Sequence, residues 1–298
     1  MSDKNKNTGE IKELDQKKSG SNKTMEPDKK KSAELKTTTK DARTGEVAVY
    51  RKACGFSYHF RSFLTILGKE TRSFFNTPMA YIILSGFVLL TSWLFFETFW
   101  LRNEASARPL FDALPKIFLI ITPLVTMKMW AEEYSTGTHD QLMSLPVNPA
   151  ITVMGKITAC LSIILMALIL TLPYPIVASV YGNLDWGPVW GGYLGALLLG
   201  LAYASVGLFI SSLTRTQVEA AFVTLFVAGF FYFIGESNVL ENFSSSNTTY
   251  ILGQIGLGSR FRNISRGVLD IRDLVYYASF SALFIVVNVA VLRHRKWM

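Results

Sequence analysis

Cysteine and histidine are scarce: two and three residues in a chain of 298. Cys160 falls inside an apolar run and Cys54 lies just ahead of the first one, so no disulfide framework is expected. His59, His139 and His294 stand apart from one another. Without an HExxH or a Cys/His cluster, no metal site is expected. No GxSxG occurs. Gly155-Lys156 lacks both the upstream glycine and the following Ser/Thr of a phosphate loop, so this chain is not expected to hydrolyse ATP itself. Catalytic residues are therefore expected to be absent from it.

Charge is thin as well, 17% against 50% apolar. Most of it sits in the first seventy residues and a few short loops. The remainder contains several nearly uncharged windows of about 20 residues, each long enough as a helix to cross roughly 30 Å of hydrocarbon. That distribution excludes a soluble globular domain and points to an all-α, polytopic membrane protein. The net charge of +8 then reads as basic residues flanking spans, with no nucleic-acid partner implied.

Residues 1–52 form a polar tail with 14 Lys/Arg and 9 Asp/Glu and hardly a large apolar residue before Val47. Such a segment buries too little surface to offset its conformational entropy, and a disordered cytosolic tail is expected. Its charges are mixed rather than a basic block, which argues against a lipid-binding role. The hydrophilic start predicts no cleavable signal peptide, so the first span is expected to direct insertion. The permease domain is expected at 53–298. It opens with CGFSYHFRSFLTILGKETRSFFNT, residues 54–77, in which Phe60, Phe63, Leu64 and Leu67 share one helical face. Arg61, Lys69, Glu70 and Arg72 make it too charged to span, so it is expected to lie in the interface.

Six transmembrane helices are expected, at about 79–100, 114–131, 151–180, 188–210, 217–236 and 274–292. Pro173-Tyr174-Pro175 interrupts the third. Glycines and alanines crowd the fourth, from Gly191 and Gly192 to Gly207, and are expected to let helices approach closely within the chain. The amphipathic 250–267 segment is expected to rest at the outer interface. Lys and Arg near the span ends favour cytoplasmic N and C termini, although Arg102, Arg108, Lys116 and Arg260, Arg262, Arg266 and Arg272 would then lie outside. Among ionisable residues in or near spans, Glu97, Lys116, Lys128, Glu219 and Glu236 all fall close to span ends, which weakens a proton-coupled transporter.

Between the second and third spans stands EEYSTGTHDQLMSLPVNP, residues 132–149. Gly137-Thr138 can cap a short helix in which Leu142, Met143 and Leu145 form an apolar face, and Pro146 stops it. A solvated connector is the alternative. The run MKMWAEEYSTGTHDQLMSLPVNPAITVMGK resembles the signature of permease subunits of type 2 ABC exporters: an acidic pair, a Gly-Thr, a leucine-rich turn, a Pro and then Gly-Lys at the third span. GKETRSFFNTPMAYIILSGFVLL upstream and FRNISRGVLDIRDLVYY downstream resemble the same family. The resemblance covers 53–298 and is strongest to the gliding-motility-associated (Gld-type) and copper-processing branch.

The resemblance implies a chain embedded in the cytoplasmic (inner) membrane that pairs with a second permease chain, identical or different. A separate cytosolic ABC ATPase would carry the ATP, leaving no cofactor on this chain. The 132–149 loop would be the coupling element, through Glu132, Glu133, Gly137, Thr138, Leu142, Met143, Leu145 and Pro146. Glu132 and Glu133 would make charged contacts with the interfacial helix or with the ATPase. His139 departs from the acidic or polar residue usual there. Two other readings remain beside it: a stand-alone secondary transporter or channel, and a membrane anchor for an ATPase that serves motility or surface assembly.

Overall fold

In the computed structural model, residues 56–102, 106–137, 148–236, 253–268 and 270–296 are described. The polar tail, and Thr138, His139, Leu142, Met143, Leu145 and Pro146 of the polar loop, lie outside them. The packing below concerns Phe60–Met298.

Every regular element among the described residues is helical. Helix α1 is Phe56–Phe75, and α2 is Pro78–Arg102. The Thr77 hydroxyl donates to the Phe74 carbonyl at 2.8 Å in the short turn between them, and Pro78 starts α2 where no N–H is needed. Helix α3 is Arg108–Ser135, α4 Pro149–Leu170 and α5 Pro173–Tyr181. The α4–α5 break falls where the prolines predict it, with the Thr171 hydroxyl donating to the Leu168 carbonyl at 2.7 Å. Helix α6 is Trp186–Leu213, α7 Gln217–Phe233, α8 Leu257–Ser265 and α9 Ile271–Lys296.

Among the described residues, five helical stretches are long and apolar enough to cross a membrane: 78–99, 108–135, 149–181, 186–213 and 271–294. Helix α7 is as apolar but has only 17 residues. It ends at Phe233, three residues before the sequence-based boundary, because Ile234 and Gly235 turn the chain out of the helix. At 1.5 Å per residue it reaches about 25 Å.

Helix α6 is the hub, packing against α3, α4, α7, α8 and α9. In hydrocarbon no hydrophobic effect draws helices together, so close van der Waals approach has to do it. A Cβ at Gly207 would stand 2.2 Å from the Thr126 hydroxyl oxygen of α3, and one at Gly200 would stand 2.9 Å from Ile164 of α4. The small residues of this span thus serve packing within the chain. The Ser211 hydroxyl of α6 also reaches the α3 backbone. It accepts from the N–H groups of Trp130 and Ala131 and donates to the Met127 carbonyl, each at 3.2 Å. Helix α8 lies across one end of the bundle, burying Leu257, Phe261 and Ile264 and exposing Asn263 and Arg266. By contrast, α1 shares no broad seam with any span. Phe60 and Leu64 are exposed on it, while Glu70 and Phe74 are buried.

Candidate functional site: a buried charge cluster at the roots of the polar loop

The two ends of the 132–149 stretch are built by ordinary helix-stop and helix-start chemistry. Helix α3 ends at Ser135, and the Thr136 N–H returns to the Glu132 carbonyl at 3.0 Å. Gly137 follows at φ +70, the left-handed geometry that glycine adopts without strain just past a helix end. A Cβ there would meet nothing within 4 Å, so backbone conformation rather than space calls for glycine. On the far side, the Asn148 side chain accepts from the Ala150 N–H at 3.1 Å, and Pro149 opens α4.

Between these roots lies a cluster of four charges. Lys156, two turns into α4, is fully buried. Its Nζ donates to Glu70 Oε1 of α1 at 3.0 Å, to Glu133 Oε1 of α3 at 2.9 Å and to the Met129 carbonyl of α3 at 2.6 Å. Three donors meet three acceptors, so the ammonium is saturated. The Trp130 ring lies 4.6 Å from the same nitrogen and adds a cation–π contact. Lys69 closes the cluster from outside, 3.3 Å from Glu133 Oε1 and 3.6 Å from Glu70 Oε1, with its own side chain 59% exposed. Burial pulls the Lys69 amine down, but the carboxylates of Glu70 and Glu133 outweigh this and leave it raised. Two lysines against two glutamates make the set neutral.

The sequence places room for this arrangement next to Lys156. A Cβ at Gly155 would come within 2.7 Å of Ile66 Cγ2, so glycine is what lets α1 close on α4. A second polar tie lies nearby, where Lys128 Nζ donates to Thr77 Oγ1 at 3.3 Å. The cluster therefore joins α1 to the end of α3 and the start of α4, the two helices that the polar loop connects.

Of the residues singled out from sequence, Glu133 lies inside the cluster, and its contact to Lys69 is to α1. Glu132 is half-buried, and its carbonyl receives the Thr136 hydroxyl at 2.8 Å. Gly137 terminates α3. Thr138, Leu142, Met143, Leu145 and Pro146 lie outside the described residues. Glu70 and Lys156 were not singled out. Lys156 reads as a flanking residue when charges are sorted only by distance from a span end. The available signal was a lysine eight residues into an apolar helix, which calls for a partner wherever it is buried.

The family model described as ABC-2 family transporter protein matches residues 6–293. The match takes in most of the polar tail as well as the helical region. A search of curated proteins finds no match. With nearly the whole chain covered and five helices of membrane-crossing length, the chain belongs to the ABC-2 transporter family and is a multi-pass membrane protein, the permease subunit of an ABC transporter.

Proposed function

We propose that the 132–149 loop is the element through which a separate cytosolic ABC ATPase drives this permease, and that the cluster at its roots passes the movement into the membrane helices. The observation that carries this reading is Lys156, held by Glu70 of α1 and Glu133 of α3 at both roots of the loop. A displacement of the loop that moves the end of α3 would also pull on α4 and α1, because one nitrogen of α4 bonds to both α3 and α1. Leu142, Met143 and Leu145 would seat in the ATPase, with Thr138 starting and Pro146 ending the short helix that presents them.

The same reading makes α7 a sixth span. Its exposed stripe of Phe222, Phe226, Phe230 and Phe233 supports contact with lipid, as does its apolar composition. Helix α1 then lies in the interface, with Phe60 and Leu64 toward the bilayer. Both termini face the cytoplasm, and two permease chains pair in the inner membrane as an exporter, on the Gld-type branch.

The test is recruitment. The full chain, tagged and purified from native membranes in mild detergent, is expected to carry a stoichiometric ATP-binding cassette protein. Leu142→Ser/Met143→Ser/Leu145→Ser is expected to lose at least nine-tenths of it while inserting normally. A triple variant that retains the ATPase in full would overturn the coupling role.

A further inference from the structure

The opposite end of the bundle holds a cavity of about 310 Å³ between α8 and the start of α9. Its wall carries three arginines, Arg260, Arg266 and Arg272, against two aspartates, Asp270 and Asp273. Both aspartates are already engaged. Asp273, almost fully buried, takes Arg260 Nη1 at 2.6 Å, and Asp270 accepts the Arg272 backbone N–H at 2.9 Å as the cap of α9. Arg260 is further fixed by Gln254 Oε1, which accepts from Nη2, and by the Tyr276 ring 5.4 Å from its guanidinium carbon.

Two cationic donor sets are left over. Arg260 is not one of them: its Nη atoms are engaged by Asp273 and Gln254, and its Nε is closed off from solvent. The guanidinium groups of Arg266 and Arg272 are exposed and have no ion-pair partner among the described residues. Arg266 is held in place by the turn after it. Gly267 has φ +86, and a Cβ there would stand 3.2 Å from Pro188 at the start of α6, so this turn is wedged against another helix. The Asn263 amide adds a neutral donor at the wall.

Height in the bilayer narrows the ligand. Arg272 is the second residue of a helix long enough to span, so the cavity opens at the level where hydrocarbon gives way to headgroups. Planar guanidinium groups on fixed backbones match phosphate oxygens in pairs. We propose that this cavity is a binding site for a phosphate ester, held by Arg266, Arg272 and Asn263. The shared chemistry is the phosphate group, whether it arrives on a membrane phospholipid or on a soluble molecule. The proposal does not depend on how the loop at the other end is coupled.

The test uses the full chain, purified in neutral detergent and stripped of lipid, with two probes. Inorganic phosphate is titrated against thermal unfolding at constant ionic strength, and dioleoylphosphatidylglycerol is added and counted on the protein by native mass spectrometry. Saturable binding of at least one probe is expected, weakened tenfold or more by Arg266→Gln/Arg272→Gln. Asn263→Asp, which adds a negative charge to the wall, should weaken it in the same direction. Arg215→Gln, at the other end of the bundle, should leave it unchanged. A response to phosphate assigns a soluble ester, and a response to the lipid alone assigns a headgroup. Failure of both probes to bind, or equal binding by the double variant, overturns the site.

Discussion

The two ends of the helical bundle handle charge in opposite ways. At the loop end, Lys156 spends all three of its donors on Glu70, Glu133 and a main-chain carbonyl, with a tryptophan ring against the same nitrogen and Lys69 beside both carboxylates. At the far end, Arg260 is pinned to Asp273, and Arg266 and Arg272 face a cavity without an ion-pair partner among the described residues. A neutral cluster around a saturated ammonium is suited to joining helices, whereas one with donors to spare is suited to receiving an anion. Lysine with glutamate at one end and arginine with aspartate at the other thus divide between cohesion and the proposed recognition, and the partner inventory tells which.

The contrast breaks if the loop-end cluster tolerates loss of its central charge. Lys156→Met leaves two carboxylates facing only the exposed Lys69, and removing one partner of a buried pair typically costs about 3–5 kcal/mol. Unfolding in detergent should show that loss, and adding Glu70→Gln and Glu133→Gln to the same chain should recover most of it. A lone Lys156→Met chain as stable as the parent would mean the cluster holds nothing together.

A smaller effect is expected at the cluster's rim. Lys69 is more than half exposed, so solvent screening limits its pair to under about 1 kcal/mol. Its folded-state value is raised, so this contribution is complete below the ordinary lysine value of 10.5 and is lost as pH climbs through the raised one. The stability gap between the parent and Lys69→Gln should therefore stay level from pH 7 to 9 and close only above 10.5. A gap that closes near neutral pH would point to a different titrating group.

The smallest effect sharpens the comparison from the other side. Arg266→Gln/Arg272→Gln removes two charges with no ion-pair partner among the described residues, so without ligand its stability should match the parent within about 0.5 kcal/mol. A large loss would show that these arginines hold the fold together, as Lys156 is expected to do.

Much of the fold was legible in the sequence because hydrocarbon imposes a simple rule on it. The apolar windows mark the crossing helices, the prolines at 173 and 175 mark the α4–α5 break, and the glycines of α6 mark the hub. Helix α7 shows where that rule runs short. Val218 to Phe233 is as apolar as the rest, yet Ile234 and Gly235 end the helix at 17 residues, and hydropathy alone does not register a turn. The candidate site was half legible. Glu133 stood out as one of an acidic pair between two spans, but its partners Lys156 and Glu70 are 23 and 63 positions away. Hydropathy sorts a charge by its distance from a span end, whereas burial depends on which helix packs over it. For the same reason Arg260, Arg266 and Arg272 read only as misplaced basic residues, although the fold pairs Arg260 with Asp273 and sets the other two on a shared cavity.

The attachment of α1 has a kinematic consequence. Since this helix shares no broad seam with the spans, its ties crowd toward its C-terminal end: Glu70 to Lys156, Lys69 to Glu133, Ile66 against Gly155 and the turn into α2. Ties gathered at one end hold that end fast and leave the far end freer to swing, as a hinged joint does. Phe60 stands ten residues from Glu70, about 15 Å along the axis at 1.5 Å per residue. A swing of about 10° at the joint would carry Phe60 through roughly 2.6 Å over that arm. Helix α1 is in this sense a lever held near Lys156, and its far arm moves most at Phe60, an exposed aromatic residue.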